Sequence, residues 1–210
     1  MDLTKVALAM GSGGTLATGA YLTKDHWMPS KEQKIKSIED ALKGRKLISS
    51  ISDSKKQWEA EFESAEQSIK SLLGDTSLNK ENGGAKLSEW CAGKMSLDVD
   101  KNQEVFKNVE QYCLIRSVSS QLSRKGKNLL KADSEEGWSE TYKKRKGDSS
   151  SRGDLSLTNA SSWDGANETN DIAEVKKWCS KNSDGEFLAS EDEANSLYTK
   201  VLKWCTKEGE

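Results

Sequence analysis

The stretch KKWCSKN, residues 176–182, places tryptophan beside cysteine, and the same pair returns near the end of the chain in LKWCTKE, residues 202–208. It occurs a third time in EWC at 89–91, and in QYC at 111–113 a tyrosine stands before the cysteine. These four stretches contain all 4 cysteines of the 210 residues. Because both residue types are rare, the repeated pair indicates four equivalent structural positions.

The elements around these pairs recur in the same order in both halves of the chain. GRKLISSISDSKKQWEAEF (44–62) and GKNLLKADSEEGWSETY (126–142) share glycine, a basic residue, leucine, Asp-Ser, tryptophan and an aromatic residue four positions later. In each half a Trp-Cys element follows, and then an amphipathic stretch that ends in aromatic-Cys. This recurrence predicts two tandem, duplicated modules. Their predicted bounds are 31–122 and 123–210, after an N-terminal segment at 1–30.

Within each module the apolar residues recur at intervals of three and four, which is the period of an α-helix. One such stripe runs through Trp58, Phe62, Ala65 and Ile69. Strict alternation over the length of a strand is absent, and the chain has 1 proline. The sequence therefore predicts an all-α fold in which each module is a small helical bundle.

Helix starts are predicted where Asp or Ser precedes a periodic stretch. Asp53 and Asp133, each followed by serine, are predicted N-caps of the helices that carry the first tryptophan of each module, and Ser190 is a third. We expect eight aromatic side chains to be buried at equivalent positions of the two cores. They are Trp58, Phe62, Trp90 and Tyr112 in the first module, and Trp138, Tyr142, Trp178 and Trp204 in the second.

The composition excludes several function classes. Only 34% of the residues are hydrophobic and 31% are charged, so the core must be thin. The net charge is −2 with the two signs interspersed, which disfavours a nucleic-acid partner. His26 is the single histidine, which excludes most histidine-based catalysis and metal binding. We predict no enzyme activity, no catalytic, cofactor-binding or metal-binding residues, and no small-molecule substrate.

The one apolar stretch, VALAMGSGGTLATGAYL at 6–22, is interpreted as a signal peptide or membrane anchor. A buried helix of a soluble fold is the alternative. A phosphate-binding loop is disfavoured because Gly14 and Gly19 are followed by Ala20 where lysine is required. Cleavage after Ala20 would release a secreted body. If the segment stays uncut, the lysines that follow residue 23 favour a cytoplasmic body by the positive-inside rule.

The connectors differ between the modules. The stretch 147–171 is rich in Ser, Gly, Asn and Asp, which predicts a flexible loop. Trp58 and Trp90 are 32 positions apart, whereas Trp138 and Trp178 are 40 apart. We infer that the second module gained surface loop while it kept its core elements.

The small-residue N-terminal segment, the pairs Trp58-x3-Phe62 and Trp138-x3-Tyr142, and the WC…YC and WC…WC ends resemble paralogous uncharacterised proteins of haemotropic mycoplasmas, wall-less bacteria that live on red blood cells. The resemblance covers nearly the whole chain through short motifs. It implies a large, tandemly encoded family of surface or secreted antigens that help to evade host immunity, without enzymatic activity. No catalytic residue is carried onto this chain.

The two cysteines of each module lie 22 and 26 positions apart, at equivalent places. We expect the first to end a short helix and the second a longer one, joined by a linker long enough to run back and bring the ends together. We therefore predict the disulfides Cys91–Cys113 and Cys179–Cys205, each stabilising the fold by about 3 kcal/mol. Buried free thiols are the alternative. A zinc site is disfavoured because Cys-x2–4-Cys spacing is missing.

Two function classes follow from these features. The first is a non-enzymatic, surface-anchored or secreted antigen or adhesin-like protein, with a membrane contact through residues 6–22 and a host protein or an antibody as partner. The second is an intracellular helical scaffold or partner-binding protein with reduced cysteines.

Overall fold

The computed structural model describes residues 36–147, 152–157 and 168–207. The predicted signal or anchor at 6–22 lies outside the described residues. Within these ranges every regular secondary-structure element is a helix, and the β-type pairings are isolated bridges. The all-α fold class predicted from the sequence is therefore confirmed for this part of the chain. No helix in these ranges is both long enough and apolar enough to cross a bilayer.

The first half of the described chain contains five α-helices and a 3-10 turn. They are α1 (Ile38–Ala41), the 3-10 turn Ile48–Ser50, α2 (Ser54–Ser64), α3 (Glu66–Leu73), α4 (Lys80–Lys94) and α5 (Gln103–Tyr112). Buried side chains from these elements and from the loops that connect them, from Ile38 to Leu114, form one hydrophobic cluster.

The second half contains four α-helices and a 3-10 turn. They are α6 (Val118–Arg124), α7 (Trp138–Gly147), the 3-10 turn Arg152–Leu155, α8 (Glu168–Asn182) and α9 (Leu197–Cys205). A second hydrophobic cluster begins at Val118 and ends at Cys205. Helix α6, which spans the predicted boundary at 122/123, contributes its buried residues Val118 and Leu122 to this second cluster. The structure also places a 3-10 turn and the first residues of α8 inside the stretch predicted as a flexible loop, 147–171.

The apolar stripe predicted to be helical is divided in two. Ala65 has φ −144° and ψ 35°, outside the helical range, so α2 ends and α3 begins there. Phe62 and Ile69, on either side of the break, are both buried in the first cluster. The break changes the direction of the chain and still delivers both side chains to one core.

The observed helix starts agree only in part with the predicted N-caps. Asp53 does precede α2, but its side chain makes no capping bond. The predicted cap at Asp133 is wrong, because α7 begins at Trp138. In the turn before that helix, Ser134 Oγ accepts a hydrogen bond from the amide of Glu136 at 3.1 Å. The predicted cap at Ser190 is wrong. Ser196 caps α9 instead, by accepting from the amide of Thr199.

Helices α2 and α4 pack backbone to backbone through two glycines of α4. A Cβ at Gly84 would lie 2.9 Å from the amide nitrogen of Glu59 and 3.0 Å from the carbonyl carbon of Trp58. A Cβ at Gly83 would overlap the ring of Phe62. Both glycines are buried, and the pair permits an approach between α2 and α4 that no other residue would allow.

The two halves make corresponding hydrogen bonds where each chain segment enters its core. The amide of Ile38 donates to the carbonyl of Leu97 at 2.9 Å, and the amide of Val118 donates to the carbonyl of Gly185 at 2.8 Å. Immediately before these amides, Ser37 caps α1 and Ser117 caps α6 through their side chains.

A second pair of corresponding bonds lies at the last cysteine of each half. The amide of Ile48 donates to the carbonyl of Cys113 at 3.0 Å, and the amide of Leu130 donates to the carbonyl of Cys205 at 2.8 Å. In the first half, the segment between α1 and α2 therefore pairs with the end of α5. In the second half, the segment between α6 and α7 pairs with the end of α9.

Candidate functional site

Two disulfides lie at the centres of the two cores. Cys91 of α4 is bonded to Cys113 at the end of α5, with a Cα–Cα distance of 5.9 Å. Cys179 of α8 is bonded to Cys205 at the end of α9, with a Cα–Cα distance of 5.6 Å. All four half-cystines are buried. These are the pairs predicted from the sequence. The predicted helix lengths are wrong, because the first helix of each pair has 15 residues and the second has 10 or 9.

Six of the eight predicted core aromatics are buried. Their exposed fractions lie between 1% and 4%, for Trp58, Phe62, Tyr112, Trp138, Tyr142 and Trp204. Trp90 and Trp178, which precede the first cysteine of each module, are only half-buried at the edge of their cores. Inside α4 and α8 successive residues point about 100° apart, so Cys91 and Cys179 face the core while the tryptophan before each lies at its edge. At the ends of α5 and α9, by contrast, Tyr112 and Trp204 are buried together with the cysteines that follow them.

A buried ionic cluster joins the two halves. Glu61 of α2, with a side chain 1% exposed, accepts from Arg116 Nε at 2.9 Å and Nη2 at 2.5 Å. It also accepts from Arg124 Nη1 of α6 at 2.7 Å. Both guanidinium groups donate in addition to the carbonyl of Gln111, at 2.9 Å each. This cluster was not predicted from the sequence.

The charged groups of the cluster interact with one another inside the fold, which indicates a structural role. Burial lowers the pKa of Arg124, and the charge of Glu61 opposes that shift. The guanidinium of Arg124 lies 5.2 Å from the ring centre of Tyr112, a cation–π contact across the two halves. Because the donors of Arg116 are almost all engaged, the cluster has little capacity to hold a further ligand.

Gln57 makes a second polar bridge between the halves. Its side chain is 1% exposed. Nε2 donates to the carbonyl of Phe187 at 3.0 Å, and Oε1 accepts from the amide of Ala189 at 2.8 Å. The amide group therefore pairs with the backbone of the second half as a neighbouring strand would. Together with the Glu61 cluster, it fixes how the first half meets the second.

A cleft of about 530 Å³ opens on the second half of the chain. Its walls come from the 3-10 turn at 152–155, from α8 through Trp178, and from the turn 191–196 with the start of α9. A smaller hollow of about 290 Å³ adjoins it and shares Asp154, Asn195 and Lys200 as lining residues. At the rim Ser156 has a φ of 54°, a left-handed conformation that few non-glycine residues adopt.

The cleft is built by the two places where the second half is longer than the first. Trp138 and Trp178 are 40 positions apart, whereas Trp58 and Trp90 are 32 apart, a difference of 8. The longer connection in the second half includes the 3-10 turn at 152–155. Cysteine separation differs by 4 residues, 26 against 22, and the added length falls in the turn before α9. The spacings in the sequence reveal the longer connections of the second half, but they do not reveal that the two connections face each other.

Within the described residues no three His, Cys, Asp or Glu side chains converge as a metal-binding group. Comparisons of the whole chain with protein-family models, curated proteins and solved structures find no match.

Proposed function

We propose that the protein is an exported, non-enzymatic surface protein built to persist in an oxidising environment. The observation that carries the proposal is the pair of disulfides. Each one joins two helices at the centre of a core, and no cysteine is left unpaired. Structural disulfides persist outside reducing compartments and are rare inside them. With only 34% hydrophobic residues, the chain gains from covalent links that replace missing core.

We propose further that the described chain consists of two copies of one module. The corresponding serine caps, the corresponding amide bonds at Ile38 and Val118, and the equivalent disulfides support this interpretation. The copies are fused by polar contacts that have no counterpart inside either one, chiefly Glu61 with two arginines and Gln57 with the backbone. Duplication would enlarge the displayed surface without requiring a larger single core.

The proposed role is that of an antigen or adhesin-like protein. The resemblance to the paralogous proteins of haemotropic mycoplasmas supports it, as does the apolar segment at 6–22, which would deliver or anchor the chain. Buried polar groups support the absence of catalysis, because Glu61, Gln57 and Arg145 are all engaged in contacts that hold the fold. The expected partners are a host protein or an antibody.

The experiment uses intact cells of the source organism. A membrane-impermeant biotin reagent labels surface lysines, and the recovered protein is digested without reduction and mapped by mass spectrometry. Surface labelling together with linked Cys91–Cys113 and Cys179–Cys205 peptides is the expected result. Four alkylatable thiols in unlabelled protein would overturn the proposal and favour an intracellular scaffold. That result would agree with the cytoplasmic orientation that the lysines after residue 23 favour if the apolar segment stays uncut.

A further inference from the structure

The cleft beside Trp178 has the size and construction of a ligand site. Its volume of about 530 Å³ lies within the range of small-molecule pockets, roughly 300–1,000 Å³. It is formed by the two insertions that distinguish the second half from the first. The first half therefore provides an internal reference that has the same disulfide but lacks these walls.

The charges of the cleft indicate which ligands it disfavours. Three carboxylates line it, those of Asp154, Glu191 and Asp192. The ammonium of Lys200 also lines it and makes no ion pair or side-chain hydrogen bond with the described residues. Asp154 already pairs with Lys203, but Glu191 and Asp192 still outnumber Lys200, so phosphorylated, sulfated and other anionic ligands are disfavoured.

The carboxylates are held in place and still able to accept further hydrogen bonds. Glu191 Oε2 accepts from the amide of Leu197 at 3.0 Å. Asp192 Oδ2 accepts from Asn195 Nδ2 at 2.7 Å, and Asp154 Oδ2 accepts from Lys203 Nζ at 3.1 Å. Each ionised carboxylate has about four acceptor sites, so several stay open to ligand hydroxyl groups. Oriented acceptors of this kind favour a ligand that is rich in O–H donors.

Trp178 supplies the flat aromatic surface of the cleft, beside the aliphatic side chains of Leu155 and Leu197. It is half-buried against the second core, and its indole lines the same wall as Asn182. A half-exposed tryptophan beside carboxylates and amides offers a flat apolar face together with hydrogen-bonding groups. Polyhydroxylated rings have the complementary chemistry, with C–H groups on their faces and hydroxyl groups around their edges.

From this combination we infer that the cleft is a binding site for neutral pyranose sugars of a glycan. Trp178 contacts a sugar face, the three carboxylates accept from its hydroxyl groups, and Lys200 donates to a ring or hydroxyl oxygen. The inference deepens the proposed surface role by naming the chemistry of its partner, and it rests on that role only for its biological setting. Binding is measured on purified protein, so its failure is distinct from failure of the export experiment.

Isothermal titration of the purified, oxidised chain with lactose, cellobiose and N,N′-diacetylchitobiose tests the inference. We expect at least one disaccharide to bind, and Trp178→Phe to weaken its binding by about tenfold. Lys200→Gln, a change at the cleft that leaves the core intact, should weaken it by about threefold or more. The matched control is Trp90→Phe, which alters the equivalent residue beside the other disulfide and should change affinity by less than about twofold.

A second experiment distinguishes a lipid-borne from a protein-borne glycan. The disaccharide that binds is displayed on a glycolipid in phosphatidylcholine vesicles. Capture that requires the sugar headgroup supports the inference for a lipid-borne glycan, and binding of the free disaccharide alone supports it for a protein-borne one. Absence of heat with all three disaccharides overturns it. So does equal weakening by Trp178→Phe and Trp90→Phe, preference for sialyllactose over lactose, or capture of plain vesicles or an oligolysine peptide in place of sugar.

Discussion

The hydroxyl of Tyr142 donates a 3.0 Å hydrogen bond to Oδ2 of Asp171, and both residues are buried in the second core. At the corresponding place in the first core, the ring of Phe62 lies directly against the backbone of Gly83. One half thus fills the position with a hydroxyl and a carboxylate, and the other with a bare ring and no side chain. The second core therefore has a polar contact where the first has an apolar one.

Loss of either disulfide should destabilise the protein by a similar amount. The two closed loops span 22 and 26 residues, and closure entropy changes slowly with length, so each bridge contributes about 3 kcal/mol. Chemical denaturation of the Cys91→Ser/Cys113→Ser and Cys179→Ser/Cys205→Ser proteins measures these costs. A bridge whose removal leaves the free energy of unfolding unchanged would show that it does not stabilise its core.

Glu61→Gln should lower the free energy of unfolding far more than Glu110→Gln, which changes a partly exposed carboxylate. The substitution keeps the shape of the side chain but leaves Arg116 and Arg124 buried without a counter-charge, which costs about 3–5 kcal/mol. Glu110→Gln is the matched control, since its pair with Arg45 is partly exposed and contributes less than about 1 kcal/mol. Urea denaturation of the two variants gives the comparison, and equal costs would contradict a structural role for the buried cluster.

The disulfide pairs were predictable because covalent pairing leaves a count, a spacing and an equivalent placement in the sequence. Glu61 was not predictable. It lies 55 and 63 positions from the arginines that neutralise it, and nothing local distinguishes it from a solvated helix residue. Only the packing of one half against the other makes it a buried charge, and helical periodicity reports the neighbours within one helix alone.

The helix boundaries show a related limit. The stripe through Trp58, Phe62 and Ile69 has helical spacing, yet the helix breaks at Ala65 because the chain must turn to bring α3 onto α4. The cleft was invisible for another reason. Its walls are turns and insertions without periodicity, so their side chains meet only once the folded cores have placed them.

Gly84→Ala should destabilise the fold, whereas Gly93→Ala on the same helix should not. A Cβ at Gly84 would lie 2.9 Å from backbone atoms of α2, which forces the helices apart and costs about 1–3 kcal/mol. A Cβ at Gly93 meets nothing within 4 Å, and alanine there should stabilise α4 by up to about 1 kcal/mol. Thermal unfolding of both variants checks the opposite signs, and a stabilising Gly84→Ala would show that α2 and α4 can separate freely.

Tyr198 should make the protein less stable in alkali. Burial raises the pKa of its phenol above the ordinary value of about 10, so the folded chain favours the neutral form. The stability this gives is fully present below about pH 10 and is lost as pH rises through the raised value. Denaturation midpoints at about pH 8 and about pH 10.5 should therefore fall further for the unmodified chain than for Tyr198→Phe. An equal fall of the denaturation midpoint in both proteins would contradict a contribution of the Tyr198 phenol to the pH dependence of stability.

The pair Tyr142 and Asp171 should show strong coupling, because the hydroxyl of one donates to the buried carboxylate of the other. Tyr142→Phe alone removes a donor from a buried carboxylate and should cost about 1.5–3 kcal/mol. In the double variant Tyr142→Phe/Asp171→Gly, which reproduces the combination found at Phe62 and Gly83, that cost disappears, so a double-mutant cycle should give a coupling of about 1.5–3 kcal/mol. The cycle of Asp171→Gly with Tyr198→Phe, which shares no contact with it, is the control and should give a coupling near zero. If the two cycles give the same coupling, the two cores do not exchange these residues as a unit, and the proposed duplication loses one of its supports.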